Sequence, residues 1–333
     1  MSCQYCYSSE NGNSILTPET FDTIVHKFGS YYNFIHFSWH GGEPLLMGKN
    51  YFQLIYEIQN SFFQENKNKV YSNSIQTNGW LLNPTWYNFL KSLNFSITVS
   101  YDGLNSVRML KNNQPIHLGL VNRLKELHEK TGYSPPITCV LSKRNINFPK
   151  EMYNHFKELK ISSFAILPYF GKDKSFQISS NGYYLFHKNL FDVWRNDKSK
   201  VIKNILPFSQ ILNSIFHNFN ENICSWDGKC FENSLAIEPN GDIYLCNGLF
   251  DSTHKIGNII TDNLIDIYQA KNYKNAITAQ NDVINSCKNC DVFKICGSGC
   301  RIGSFFLHGH LNKKDALCEG RKRIIKYVLE SVN

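Results

Sequence analysis

The amino-acid sequence predicts an α/β fold: a parallel sheet with helices outside it, closing wholly or partly into a barrel, then a smaller region organised by cysteines. Three observations lead there. Helical and strand-like segments alternate from residue 17 to about residue 195, the pattern of a parallel sheet covered by helices. Glycine or polar triplets close three of the predicted strands, Gly41-Gly42-Glu43, Gln76-Thr77-Asn78 and Ser100-Tyr101-Asp102, at the carboxyl ends where such sheets place their chemistry. Ten of the eleven cysteines stand at the extreme amino terminus or in the last third of the chain.

The first helix is read at residues 17–31, with Thr17 as N-cap and Glu19 in the first turn. The short apolar strand Phe34–Trp39 follows and is stopped by Gly41-Gly42. A helix at 51–63 leads to a strand at 70–76, ended by Asn78-Gly79. Three more pairs complete the alternation: helix Pro84–Ser92 with strand Phe95–Ser100, helix 118–130 with strand Ile137–Leu141, and helix 150–159 with strand Ser163–Pro168. After a helix at 183–194 the pattern loosens through 206–219. A hairpin at 234–246 turns at Pro239-Asn240-Gly241, within a stretch from Cys224 onward that reads as a second, metal-organised domain. The expected division is 1–200 for the barrel part and 201–333 for a connecting segment and the cysteine-rich domain.

Hydrophobic residues at 42% and charged residues at 19% describe a globular chain and not a disordered one. No stretch approaches the ~20 apolar residues of a membrane span. The start, Met1-Ser2-Cys3-Gln4-Tyr5-Cys6, lacks the basic-then-apolar pattern of a signal peptide, so the expected location is the cytoplasm, with no membrane partner. The net charge of +8 is spread along the chain without a dense run, the pattern of a solvated surface and not of a nucleic-acid patch.

The cysteines carry most of the information. A secreted disulfide scaffold would be short and loop-rich, and this chain of 333 residues is neither. Two thiolates at C-x2-C can reach one metal centre. Cys3 and Cys6 have that spacing, which taken alone serves equally for half a zinc site. From Cys224 the spacing reads C-x5-C-x15-C and, after a gap, C-x2-C-x5-C-x3-C-x17-C. Eight cysteines are two sets of four, enough for two iron–sulfur cubanes, with one or two structural zinc sites as the alternative. Cys139 stands apart on a predicted apolar strand and reads as a buried inert thiol. Of the histidines, His40, His308 and His310 are candidate ligands, with surface or core roles the plainer reading; Tyr169 and Phe170, after the last predicted strand, are candidates for the mouth of a substrate cavity.

Cys3-Gln4-Tyr5-Cys6-Tyr7, followed by Trp39-His40-Gly41-Gly42-Glu43-Pro44, resembles the radical S-adenosylmethionine superfamily. The resemblance implies a (β/α)6 barrel, here partial and lacking its first strand, and a [4Fe–4S] cluster held by C-x3-C-x2-C, with one iron left open for S-adenosylmethionine. Cys3 and Cys6 match the second and third cysteines; the position of the first falls four residues ahead of Cys3, before Met1. The Gly41-Gly42-Glu43 segment would meet the amino group of S-adenosylmethionine, since glycines admit close backbone approach and a carboxylate pairs with an ammonium. Gln76, Asn78, Ser100 and Asp102 would serve its ribose and carboxylate, Arg123 its carboxylate, and Tyr5 its adenine.

The second array resembles the SPASM extension of peptide-modifying radical enzymes, especially that of anaerobic sulfatase-maturating enzymes. By that resemblance Cys224, Cys230, Cys246 and Cys300 bind one auxiliary [4Fe–4S] cluster, and Cys287, Cys290, Cys296 and Cys318 a second. One departure weighs against formylglycine formation. The sulfatase maturases place a proton-accepting aspartate directly after the third cysteine of the array. Here the residue is Asn247, and an amide cannot act as that base; Asp251 is the nearby substitute. The resemblance therefore implies an enzyme that abstracts hydrogen from a side chain of a ribosomally made peptide and installs a cross-link or other oxidative modification. It further implies a peptide or protein substrate and a small electron donor such as a flavodoxin or ferredoxin. The alternatives are a sulfatase maturase and a non-catalytic metal-binding protein.

Overall fold

The computed structural model describes residues 2–3, 5–6, 14–104, 108–110, 114–217, 224–226 and 228–332. Its first part runs β1 (Ser2–Cys3), α1 (Pro18–Tyr31), β2 (Phe34–Trp39), a 3-10 turn (Pro44–Met47), α2 (Lys49–Glu65), β3 (Val70–Thr77), α3 (Pro84–Ser92), β4 (Phe95–Ser100) and β5 (Arg108–Met109). It continues with α4 (His117–Thr131), β6 (Ile137–Leu141), α5 (Pro149–Glu158), β7 (Ser163–Pro168), α6 (Ser180–Asn196), β8 (Asn204–Leu206) and α7 (Phe208–His217). Six strands form one parallel sheet in the order β2-β3-β4-β6-β7-β8, the architecture expected of a partial barrel. β1 lies off this sheet, paired antiparallel with β5 through Ser2↔Met109 and Cys3↔Arg108. Among the described residues no helix is long and apolar enough to cross a membrane.

The helices begin where their capping residues stand. Thr17 accepts from the Thr20 N–H at 3.2 Å, Asn83 from the Trp86 N–H at 2.9 Å and Ser179 from the Gly182 N–H at 3.0 Å, each satisfying a donor that the first turn leaves orphaned. Side chains alternate across the strands. Ile97, Val99, Ile137, Cys139, Leu141, Phe164 and Ile166 enter the buried core beneath the helices. The opposite face of β2, β3 and β4 is rich in hydroxyls: the two ring nitrogens of His36 lie 2.7 and 2.8 Å from the Ser72 and Ser74 hydroxyls. The sheet thus has an oily outer face and a polar inner one.

The last third comprises α8 (Cys230–Asn233), β9 (Ala236–Ile237), β10 (Asp242–Tyr244), β11 (Lys255–Asn258), α9 (Leu264–Gln269), α10 (Lys271–Cys287), α11 (Phe293–Cys296), α12 (Arg301–His308) and α13 (Cys318–Val332). The expected hairpin is present as β9–β10, with Gly241 at φ +88° in its turn. β11 adds a third antiparallel strand. This region shares its cores with the barrel. Phe21, Ile24, Val25 and Phe28 of α1 pack with Phe231, Ile243 and Leu245, Lys27 donates to the Ile259 and Asp262 carbonyls at 2.7 and 2.8 Å, and Ile324, Ile325 and Val328 of α13 join the barrel core. The sheet also runs to residue 206, past the 200/201 division expected from the sequence.

Candidate active site

Two strand ends are tied together by one carboxylate. Glu43 follows β2 and caps the 3-10 turn by accepting the Leu45 N–H at 3.1 Å. The same oxygen accepts the Thr77 hydroxyl at 2.7 Å, and its partner oxygen the Asn78 N–H at 2.7 Å, both from the end of β3. Burial pushes the Glu43 carboxyl above its ordinary value, and these donors pull it partly back. Three of about four acceptor positions are used, leaving room for one further donor. Gly41 and Gly42 lie at φ +92° and +54°, and a Cβ built on either would meet nothing within 4 Å. Conformation, not crowding, selects glycine there, and the exposed backbone borders open space that a ligand can approach.

Further along the inner face, Gln76 donates to the Ser100 hydroxyl at 2.7 Å and accepts from the Thr138 hydroxyl at 3.2 Å, a ladder across β3, β4 and β6. The Asn78 side-chain oxygen accepts the Trp80 N–H at 2.8 Å. Asp102, 2% exposed, is the most heavily bonded group in the mouth. It accepts two bonds from the Arg108 guanidinium at 2.9 and 3.1 Å, the Val140 N–H at 2.9 Å and the Tyr5 hydroxyl. That fills the acceptor positions of a carboxylate, so Asp102 orients Arg108 and Tyr5 in place of the direct cofactor contact expected for it. Burial and then the Asp102 charge push the Tyr5 phenol well above its ordinary value. Tyr5 is held between Tyr169, Phe176 and the Arg108 guanidinium, with centroid distances of 6.0, 6.0 and 5.5 Å.

Cys3 and Cys6 share a turn closed by the Cys6 N–H to the Cys3 carbonyl at 3.1 Å. Burial raises the Cys3 thiol pKa, and Arg108, standing beside it, lowers it. Desolvation, then the Arg108 charge, hold the His40 imidazole below its ordinary value although its edge reaches solvent. Arg108 therefore joins the cysteine turn, Tyr5, His40 and Asp102, and the sequence reading missed it. The available signal was slight: an arginine six residues beyond a strand-end aspartate. Arg123 lies on α4 beside Glu126 and makes no hydrogen bond to the strand-end residues among those described.

The eight cysteines of the last third lie in two neighbourhoods. Cys287, Cys290, Cys296 and Cys318 line one chamber together with Val292, Ser298, Asp315 and Arg321. Burial, followed by the neighbouring thiols of Cys300, Cys224 and Cys230, pushes the Cys246 thiol well above its ordinary value. Burial likewise pushes Cys296 and Cys300 up to about 12, so these thiols stay protonated until a metal takes them as thiolates. Among the described residues no three His, Cys, Asp or Glu side chains gather tightly enough for one metal ion. Four thiols lining one chamber match the ligand count of a cubane bound through one thiolate per iron. The donor sets fit iron–sulfur clusters. Asp315 spans both sets: it accepts the Cys300 N–H at 2.6 Å, and its carbonyl accepts the Cys318 N–H at 3.0 Å.

Asn247 is exposed and accepts from the Cys246 thiol at 3.5 Å. Burial raises the Asp251 carboxyl, but the Thr253 hydroxyl and His254 outweigh it and hold the pKa below the ordinary range; His254 Nδ1 is 2.8 Å from both carboxylate oxygens. Cys139 is fully buried, 3.8 Å from the Met152 sulfur, with its thiol pushed well up by burial. His308 and His310 are exposed. Tyr169 packs on Tyr5 as described, and Phe170 lies where a Cβ on Gly303 would fall, 2.6 Å from its ring, so glycine lets α12 close onto the barrel mouth.

Comparison with known proteins gives a family match over each part. Residues 1–132 match the family model described as the radical SAM superfamily, and residues 224–291 match an iron-sulfur cluster-binding domain, SPASM. The chain is 27% identical over 319 residues to a cysteine-type anaerobic sulfatase-maturating enzyme of Clostridium perfringens, covering 90% of this chain and 85% of the relative. It is 24% identical over 338 residues to a serine-type enzyme of the same name from Bacteroides thetaiotaomicron, covering 90% and 79%. The fold is similar to that of native anSMEcpe with bound AdoMet and Kp18Cys peptide, with a TM-score of 0.85 at 24% identity over 100% of this chain and 94% of the other. It is also similar to Streptococcus suis SuiB bound to its precursor peptide SuiA, with a TM-score of 0.62 at 19% identity over 96% and 73%.

Proposed function

The chain belongs to the radical SAM superfamily and carries a SPASM domain, and from that premise we propose that it removes hydrogen from a side chain of a ribosomally made peptide and leaves a cross-link there. The carrying observation is the convergence, at the strand ends, of the Cys3–Cys6 turn with a tyrosine fixed by the Asp102–Arg108 pair. When bound, a [4Fe–4S] cluster with S-adenosylmethionine supplies hydrogen-abstracting chemistry. Cys3 and Cys6 would ligate its iron. The Gly41-Gly42 backbone and the one vacant acceptor position of Glu43 would take the ammonium group, the Gln76–Ser100 ladder with Asn78 the ribose, and Tyr5 the adenine. Arg108 stands closer to this constellation than Arg123 and is the better partner for the carboxylate. The two thiol tetrads would hold auxiliary clusters that receive the electron left after bond formation, and a small carrier such as a flavodoxin or ferredoxin would supply the starting electron.

Formylglycine formation is the second reading, favoured by the similarity to sulfatase-maturating enzymes over 90% of the chain. Asn247 tells against it, and Asp251 is already engaged by Thr253 and His254. Mass spectrometry separates the two: a two-hydrogen loss with a cross-link in a precursor peptide, or formylglycine in a sulfatase peptide.

The cofactor assignment is tested by anaerobic reconstitution with iron and sulfide. The protein, and a version extended to carry a cysteine four residues ahead of Cys3, are assayed for 5′-deoxyadenosine with dithionite. The extended form is expected to produce it and its C6A variant to fall to background; zinc without sulfide, or no 5′-deoxyadenosine from either form, overturns the reading. In the same preparations C246A and C290A are each expected to lose about four irons, and a loss confined to one variant would break the division into two sets.

A further inference from the structure

We propose that Arg321 donates hydrogen bonds into the chamber formed by Cys287, Cys290, Cys296 and Cys318, and thereby raises the reduction potential of the iron–sulfur cluster that the proposed function places there. Arg321 lies on α13 three residues beyond Cys318, so the two side chains share a helix face. It is fully buried and lines the chamber. Its Nε donates to Asp315 Oδ2 at 3.0 Å, and its guanidinium lies 4.7 Å from the Trp226 ring centroid and 5.6 Å from that of Tyr183. Nη1 and Nη2 are buried and have no hydrogen-bond partner among the described residues. An arginine cannot shed its charge, and leaving charged donors unmet in a low-dielectric interior is strongly unfavourable unless something accepts from them.

The local charge is unbalanced in the same direction. Arg301, 1% exposed, gives its terminal nitrogens to the Ser298, Gly299 and Lys313 carbonyls, so it neutralises nothing. Among the described residues Asp315 is the one carboxylate lining the chamber, and it is shared among Arg321 and the Cys300 and Leu317 N–H groups. Two buried cations therefore face one buried anion. The Ser298 hydroxyl, also lining the chamber, is buried and likewise without a partner among the described residues. An iron–sulfur cubane on four thiolates is an anion whose sulfides accept hydrogen bonds, which is what these unmatched donors and charge call for. Reduction adds negative charge to the cluster, so cation and donors stabilise the reduced form more, and hydrogen bonds to the sulfurs are a known determinant of potential. Arg321 lines the chamber of Cys287, Cys290, Cys296 and Cys318, which assigns the effect to the second cluster.

The test is a potentiometric titration, followed by electron paramagnetic resonance, of the anaerobically loaded protein and its R321K and R321M variants, after iron and sulfide have been counted. R321K keeps the charge and loses the planar donors; R321M loses both. In R321K one cluster is expected to shift so that its reduced-to-oxidised ratio at fixed potential falls about tenfold, about 59 mV for one electron, with a larger fall in R321M and the other clusters unmoved. Full iron content with unmoved potentials in both variants overturns the proposal. If both variants fail to load, unmutated protein labelled with 15N-arginine decides. Guanidinium-nitrogen coupling to a reduced cluster that S-adenosylmethionine does not perturb supports the proposal, and its absence overturns it. Unmutated protein that takes up no sulfide sinks the cofactor reading itself, and this proposal with it; a loaded protein with unmoved potentials sinks this proposal alone.

Discussion

Asp102→Asn is expected to lower stability by about 3–5 kcal/mol, the scale on which a buried ion pair fails when one partner is removed, and to bring 5′-deoxyadenosine formation to background. The substituted amide would keep the shape of the aspartate and could still accept from the Val140 N–H. Its nitrogen, however, would face donors: the Arg108 guanidinium, and the Tyr5 hydroxyl. Arg108, 8% exposed, would be left charged without its counterion. Both residues that Asp102 orients stand beside the Cys3–Cys6 turn, so the structural fault reaches the chemistry directly. The double variant D102N/R108Q separates the two effects. With the stranded charge gone, most of the lost stability should return, as the coupling term of a double-mutant cycle, while binding of S-adenosylmethionine stays impaired because the arginine is missing. Equilibrium unfolding and ligand binding, both anaerobic, measure these separately. A single variant with unchanged unfolding and unchanged 5′-deoxyadenosine would show that Asp102 is not the organising group of the mouth.

The barrel was legible because its strands obey one rule along their whole length. Phe95–Ser100 and Ile137–Leu141 alternate between the core and the inner face, and each predicted strand is found with ends within a residue of those read. The caps were legible too, since Thr17 and Asn83 act through local bonds that need no tertiary partner. What escaped depends on packing with distant segments. α10 buries Ala276, Gln280, Val283 and Cys287: the spacing is helical, but a glutamine and a cysteine on the stripe hide it from a hydropathy reading. β8 is three residues long and takes its place from pairing with β7. Arg108, Arg301 and Arg321 are buried cations, which sequence reasoning assigns by default to the surface. Among the candidate site residues, the clustering of the last-third cysteines was legible in their short spacings, while their division into two sets came from the family resemblance. The contacts expected of Asp102 and Arg123 were not legible, since a strand-end position or a helix register does not say which neighbour a side chain finally binds.

Asp315 carries the last and widest effect. Its side chain accepts the Cys300 N–H, the Leu317 N–H and Arg321 Nε, at 2.6, 2.7 and 3.0 Å, within a pocket that Gly299 and Gly303 leave room for, since a Cβ on either would come within 2.6 and 3.1 Å of its carboxylate oxygens. Cys300 belongs to one thiol set, while Leu317 precedes Cys318 of the other. One buried carboxylate, 4% exposed, thus fixes both backbone segments where the two sets interleave. Asp315→Asn retains one acceptor oxygen for three donors and strands the Arg321 charge, so a loss of about 3–5 kcal/mol is expected. Because the fault lies at the crossing point, iron should fall at both auxiliary sites together, by up to about eight atoms. The Cys3–Cys6 turn, which stands on the separate β1–β5 pair away from that crossing, should keep its iron. Iron and sulfide counts beside anaerobic unfolding curves read this out. Loss from the Cys287 set alone would mean that Asp315 serves only its nearer helix. A fully loaded variant of normal stability would show that the three bonds to Asp315 are not what joins the two sites.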